Sequence, residues 1–306
     1  MTDTSFPEKS LLERTRQLLH RYELRARKSL GQHFLINSGV LKKITAAADL
    51  TPSDIVIEVG PGPGVLTAEL IKKAGYVIAV EVDSSMVALL KESFWEAPNL
   101  SLITSDILEV DPLELIRQES SRFPESLKTA SKYKLVANLP YYITQPIIRH
   151  FCEATVKPQS LVIMVQKEVA KNIVAQPGDL SIMAISVQFY GKPQIIDYVP
   201  AANFYPVPKV DSAILKIEMY DKTAVEVTSE KNFFKTVKAG FCAARKQVAN
   251  SLSQGLDIPK AEVVSLMQAA GVNPQKRAEA LSLLEWAKLE KVFSEEKIND
   301  DRHGAR

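Results

Sequence analysis

Residues 55–74 constrain this chain more than any other stretch. Ile55-Val-Ile-Glu-Val59 is short and apolar and runs straight into Gly60-Pro-Gly-Pro-Gly64, after which Val65–Ala74 reads as a helix. Strand, glycine turn and helix in that order open a parallel α/β sheet whose turn faces a ligand. Gly60, Gly62 and Gly64 let backbone approach that ligand where a side chain would collide. A dinucleotide turn is spaced G-x-G-x-x-G. Here the third glycine comes one residue early, and Glu58 stands two residues before the first. A carboxylate repels pyrophosphate and suits a ligand carrying an ammonium or sulfonium charge.

The pattern continues on both sides of this unit. Tyr76–Val82, Leu100–Ile103, Lys134–Ala137, Leu161–Gln166, Ile195–Val199 and Ala213–Met219 read as strands. Helices are expected at 37–49, after Ser84 as a cap, from near Pro146, and near 167–175 and 181–190. This alternation predicts a parallel sheet covered on both faces. From about residue 221 the chain changes character: DKTAVEVTSE is a polar linker, and helices follow at 231–242, 245–254, 259–269 and 278–293. The expected fold is therefore α/β, a Rossmann-like sheet with a small all-helical C-terminal domain. The expected organisation is a helical extension over 1–24, a sheet domain over 25–221 and a helical domain over 222–306.

Composition excludes several classes. Of the 306 residues, 46% are hydrophobic and 24% charged, which is globular and not disordered. No apolar run reaches the ~18–20 residues that span a bilayer, so no membrane partner is expected. The first residues lack the apolar core of a secretory leader, and a cytoplasmic location is the expectation. Cys152 and Cys242 follow no metal or redox spacing and read as two reduced, buried thiols, while His20, His33, His150 and His303 are too scattered for a zinc site. No metal is expected. One copy of the chain is the expected state, because no heptad seam is visible beyond the N-terminal helix.

Two carboxylates complete the glycine turn. Glu81 ends the second strand, 21 residues after Gly60, a spacing that suits a ribose diol. Asp106 follows the third and can accept from an adenine amino group. Together they describe a site for S-adenosylmethionine, with NAD still open on these residues alone. Asn138-Leu-Pro-Tyr141 then follows the fourth strand. The exocyclic amine of adenine is a poor nucleophile because its lone pair is delocalised into the ring. An Asn oxygen and a backbone carbonyl that accept its two N–H bonds favour a pyramidal nitrogen with a usable lone pair. Pro140 stiffens the turn, and Tyr141 offers a face on which the base stacks.

Charge is unevenly spread. Residues 1–43 carry a balance of +5, residues 44–229 a balance of −6 and residues 230–306 a balance of +3. A polyanion is expected to touch the ends: Arg25, Arg27, Lys28, Arg245, Lys246, Lys276 and Arg277 are the candidates.

Seven ordered motifs carry a family resemblance: SLGQHFL (29–35), EVGPGPGVLT (58–67), EVD (81–83), SD (105–106), NLPYYITQPII (138–148), FYPVPKVDSA (204–213) and FCAARKQVANSL (241–252). The chain resembles the bacterial small-subunit (16S) rRNA adenine N6-dimethyltransferases from about residue 25 to about 285. The resemblance implies an S-adenosylmethionine-dependent enzyme that dimethylates two adjacent adenines in the 3′-terminal hairpin loop of 16S rRNA, in the small subunit or its precursor, late in assembly. It places cofactor contacts at His33, Leu35, Gly60, Gly62, Glu81, Asp106 and Asn138. It places the target base at Asn138, Leu139, Pro140 and Tyr141, with Phe204 closing the opposite face. The nearest alternative is the sister family that methylates one adenine of large-subunit rRNA. Val210-Asp-Ser212 and the 241–252 motif favour the small-subunit enzymes. A binding factor with dead chemistry and an NAD oxidoreductase are further alternatives, opposed by the intact Glu81, Asp106 and NLPY.

Overall fold

The computed structural model describes residues 10–27, 31–128, 132–243 and 245–303, with side chains described as far as residue 295. It divides into two compact units: residues 1–170 with 194–219, and residues 171–193 with 220–306.

The first unit holds α1 (Leu11–Arg21), β1 (Phe34–Leu35), α2 (Ser38–Ala48), β2 (Ile55–Val59), α3 (Thr67–Leu70), β3 (Tyr76–Glu81), α4 (Ser84–Ser93), β4 (Leu100–Thr104), α5 (Pro112–Glu119), β5 (Lys134–Asn138), α6 (Thr144–Cys152) and β6 (Ser160–Gln166). The chain goes on through α7 (Lys167–Ile173), α8 (Ile182–Tyr190), β7 (Gly191–Val199), β8 (Phe204–Tyr205) and β9 (Ser212–Met219). Among the described residues, seven strands form one sheet in the order β4-β3-β2-β5-β6-β9-β7. β4, β3, β2, β5 and β6 are parallel neighbours. β9 runs antiparallel to β6, with Ser212 opposite Gln166. An all-parallel sheet was the expectation; direction is a property of the connection, and the apolar run of β9 reads the same either way.

Strands β2 and β3 are buried at every position, as parallel strands covered on both faces must be. Ile44, Val56, Val77, Val136, Val162, Met164 and Ile214 share one core. Each such side chain contributes about 1.5–3 kcal/mol when removed from water. The order reverses at β2, which has β3 on one side and β5 on the other. At such a point the helices leave to opposite faces and a crevice opens at the carboxyl ends of the strands.

Several local readings change. α3 is only four residues long, where 65–74 was expected to be helical. The cap of α4 is Asp83, whose carboxylate accepts from the Ser85 amide at 3.0 Å, not Ser84. α1 is no separate extension: Leu19 packs with Phe34 and Met86 in the core. A capping box opens that helix, in which Ser10 and Glu13 bond each other's amides at 2.9 and 3.2 Å. Cys152 is buried as expected, but Cys242 is exposed.

The second unit is helical, with α9 (Glu230–Gly240), α10 (Val248–Leu256), α11 (Lys260–Ala269) and α12 (Leu283–His303). Residues 171–193 belong to it, although chain order put them in the sheet domain. The reason is aromatic packing: Phe189 stacks on Phe233 at 4.6 Å and meets Phe234 edge-on. Tyr190 also donates to Glu230 at 2.7 Å. The fully buried Glu290 accepts from the amides of Thr228 and Ser229 at the start of α9. No helix among the described residues is long and apolar enough to cross a membrane.

Candidate active site

The crevice at the strand ends is a cavity of about 350 Å³ in the first unit. Its wall is made by five chain segments that the sequence keeps apart: Gly31–Phe34, the Gly60–Gly62 turn, the end of β3, the stretch after β4, and residues 138–143.

The glycine turn needs glycine for two reasons. Gly60, Gly62 and Gly64 all have positive φ, at 65°, 54° and 82°. At Gly64 an added Cβ would also stand 2.5 Å from a Phe94 ring carbon. Gly60 donates to the Val80 carbonyl at 2.9 Å, and Gly62 donates to Glu81 Oε2 at 3.1 Å. The turn is therefore tied to the end of β3. The other oxygen of Glu81, Oε1, accepts from the Asp83 amide at 3.0 Å. A carboxylate has about four acceptor directions, so each oxygen keeps one for a ligand. Burial raises the Glu81 pKa, and the backbone N–H groups of Asp83 and Gly62 oppose that rise. Asp106 is exposed in the same wall, and its Oδ1 accepts from the Leu108 amide at 3.0 Å.

Glu58 does not line the cavity. It is 1% exposed beneath the turn, and its Oε2 accepts from the Thr67 hydroxyl at 2.7 Å. Burial pushes its pKa up to about 8. It braces the turn against α3 and stands outside the cavity wall, contrary to the expectation of a charge partner for the ligand.

The tetrapeptide is fixed at every position. Asn138 Nδ2 donates to the His33 carbonyl at 3.0 Å, which leaves Oδ1 as the free acceptor. The Pro140 carbonyl is taken by the Ile143 amide and the Thr144 hydroxyl. The Leu139 carbonyl accepts no hydrogen bond among the described residues. The Tyr141 hydroxyl bonds Ser212 Oγ at 2.6 Å, and burial raises its pKa. The His33 ring stacks on Tyr141, centroids 5.7 Å apart at 24°. Its Nδ1 lies 2.7 Å from the Pro206 carbonyl, an atom that can only accept, so Nδ1 carries the proton.

Of the expected site residues, the cavity collects His33, Gly60, Gly62, Glu81, Asp106, Asn138, Leu139, Pro140 and Tyr141. Leu35 and Phe204 are elsewhere. They pair across β1 and β8, and both side chains are in the core, with Phe204 only 1% exposed. The ring that meets Tyr141 is His33. Gln32, Val82, Ser105, Ile107 and Tyr142 line the cavity without having been singled out. Their neighbourhood in the motifs was the only signal available.

The basic candidates divide by partner. Arg27 lies 3.4 Å from Asp83, Lys276 bonds Glu285 at 2.7 Å and Arg277 lies 3.7 Å from Glu279. Arg25, Arg245 and Lys246 are exposed and make no ion pair among the described residues. Lys28 lies outside the described residues.

A sheet of this order with one antiparallel strand, an acidic group ending β3, and an acceptor tetrapeptide after β5 define a Rossmann-like methyltransferase. The family profile described as ribosomal RNA adenine dimethylase matches residues 23–295. The chain belongs to that family. It is 53% identical over 280 residues to the Ribosomal RNA small subunit methyltransferase A of Dehalococcoides mccartyi, covering 92% of each chain. It is 40% identical to the protein of the same name in Clostridium perfringens, covering 90% of this chain and 93% of that one. Among solved structures it is similar to a dimethyladenosine transferase from Plasmodium falciparum, with 27% identity and a TM-score of 0.71 over 87% of this chain and 98% of that one. The 23S rRNA methyltransferase ErmE aligns with 25% identity and a TM-score of 0.65, over 85% of this chain and 99% of that one.

Proposed function

We propose that this methyltransferase uses S-adenosylmethionine to dimethylate N6 of two adjacent adenines in the 3′-terminal hairpin loop of 16S rRNA, within the small ribosomal subunit or its precursor. The observation that carries the reading is the convergence of the Asn138–Tyr141 tetrapeptide, the glycine turn, Glu81 and Asp106 on one cavity. High identity to small-subunit enzymes over nearly the whole chain supports the choice of subunit.

The donor set fits the cofactor. Glu81, anchored by two amides, keeps one acceptor direction on each oxygen for a ribose diol. Asp106 stands in the same wall for the adenine amine, and Gly60 and Gly62 give backbone access. S-adenosylmethionine, when bound, supplies an electrophilic methyl group on sulfonium.

The remaining work belongs to the chain. Asn138 Oδ1 and the Leu139 carbonyl are the two free acceptors of the tetrapeptide, matching the two N–H bonds of an adenine amine. The bond from Asn138 Nδ2 to His33 sets which end of the amide faces the base. Accepting both N–H bonds concentrates the nitrogen lone pair on the side away from the ring plane. Tyr141, held by Ser212 and His33, gives the base a rigid face. The proton of the product amine leaves to water. For the second transfer one N–H remains, and one of the two acceptors then faces the first methyl group.

The target adenine must leave its stack to reach Asn138. Of the basic residues expected to hold flanking phosphate, Arg25 in the first unit, and Arg245 and Lys246 between α9 and α10 in the second, are exposed and make no ion pair among the described residues. Incubation with radiolabelled S-adenosylmethionine and unmethylated small subunits, followed by mapping of the label, tests the reading. Label confined to N6 of the two adjacent adenines is expected. Label in large-subunit rRNA, or none, would overturn it.

A further inference from the structure

We propose that Tyr142 is a second stacking platform, which receives the unpaired nucleobase next to the adenine being methylated. The inference rests on the proposed function and adds a subsite to it.

Tyr142 is a large aromatic residue that the fold does not bury. It is 56% exposed, yet it stands in the cavity wall directly after the tetrapeptide. Its neighbour Tyr141 is committed: the hydroxyl is bonded to Ser212 and the ring is stacked by His33. Tyr142 has no hydrogen bond or ring contact among the described residues, so nothing in the fold uses its hydroxyl or its plane.

The ring is nevertheless held. Gly31 has a φ of +56°, and a Cβ there would come within 3.2 Å of Tyr142 Cδ1 and 3.9 Å of Pro140 Cβ. The ring therefore rests against the bare backbone of Gly31. The two segments meet three times in register. Gly31 lies under Tyr142, the His33 ring lies on Tyr141, and the His33 carbonyl takes the Asn138 amide. The contacts that orient the catalytic amide also seat an exposed aromatic ring one residue further on.

An exposed, seated aromatic plane beside a base-binding cavity fits a nucleobase. Every base has a π-face, and stacking tolerates sequence. The substrate supplies the occupant: when one of two adjacent adenines enters the cavity, its neighbour is unstacked on that side. Consecutive tyrosines then serve consecutive bases. Stacking does not depend on base identity or on methylation, so one platform serves whichever nucleotide flanks the target on that side in each round.

The test uses the full-length protein, unmethylated small subunits and four variants. Tyr142→Ala and Tyr142→Leu are expected to lower kcat/KM for subunits about 5- to 150-fold, mainly through KM. Tyr142→Phe and Tyr142→Trp are expected to stay within about two-fold of wild type. S-adenosylmethionine affinity by calorimetry is expected to be unchanged in all four. Three results would overturn the proposal: wild-type kinetics in Tyr142→Ala, rescue by Leu, which restores bulk without a plane, or a parallel loss of cofactor affinity. Failure of Phe to rescue would likewise reject it, since the role would then be the hydroxyl's. Wild-type protein inert on subunits would overturn the proposed function and this subsite together. An active wild type with an indifferent Tyr142→Ala would remove the subsite alone.

Discussion

Glu58→Gln isolates the buried carboxyl beneath the glycine turn. In the folded protein its pKa is pushed from the ordinary 4.5 to about 8, first by burial and then by the charge of Glu81. The folded state thus holds the proton more tightly than the unfolded chain. The stabilisation is complete below about pH 4.5, falls as pH rises, and is gone above about pH 8. At about 1.4 kcal/mol per pH unit the full effect is about 5 kcal/mol. A glutamine has no proton to lose, and its oxygen can still accept from Thr67. Urea unfolding followed by circular dichroism at pH 5, 6, 7 and 8 gives the stability of each protein. Wild type is expected to fall relative to Glu58→Gln across this range, by at most about 1.4 kcal/mol per pH unit. Glu81, raised by burial as well, is present in both proteins. A difference that stays flat from pH 5 to 8 would refute the reasoning: the carboxyl would then be as readily ionised folded as unfolded.

Four other outcomes follow from the residues described. Glu81→Ala is expected to weaken S-adenosylmethionine binding by about 1–3 kcal/mol, the worth of hydrogen bonds to a charged acceptor; unchanged calorimetric affinity would reject its assignment to the ribose. Asn138→Ala is expected to slow turnover on subunits about 10²-fold, by loss of a positioned acceptor, and a wild-type single-turnover rate would reduce the tetrapeptide to a turn. Tyr141→Ala should cost about 1–3 kcal/mol of base stacking, whereas Tyr141→Phe gives up only the Ser212 bond. Reversing Arg245 and Lys246 to Glu is expected to weaken subunit binding and to flatten its log–log salt dependence by roughly one unit per lost phosphate contact. Binding that is unaltered at every salt concentration would remove these residues from the RNA footprint.

The cavity was legible where chemistry demands a residue type at a strand end. Glycines at 60 and 62, a carboxylate at 81 and an amide at 138 are sequence signals because alternatives fail there. Phe204 marks the limit, because an aromatic residue beside a motif reads the same whether it faces a base or the core. Only the pairing of Leu35 with Phe204 decides, and that pairing joins segments 169 residues apart. The burial of the Leu35 side chain is hidden from the sequence for the same reason. The assignment of 171–193 failed because α8 looks like any helix covering a sheet. Its packing on Phe233 and Phe234 is a contact between distant parts of the chain, which local patterns do not record. Glu58 was read as a ligand partner because its position suggested access, while burial is a property of the assembled turn.

The reversed strand sets an order of events during synthesis. Every parallel strand delivers its functional residues after it, at its carboxyl end. β9 runs the other way, so the residues that precede it reach the same edge, and Ser212 at its first position meets Tyr141. The residues that line the cavity are all present once residue 143 has left the ribosome. The hydroxyl that holds Tyr141 and the carbonyl that holds His33 arrive only with residues 206–212. Until β9 inserts beside β6, a nascent chain carries the parts of a catalytic centre without the two anchors that make it rigid. In chain order, the two anchors of Tyr141 and His33 are therefore the last parts of the site to be made.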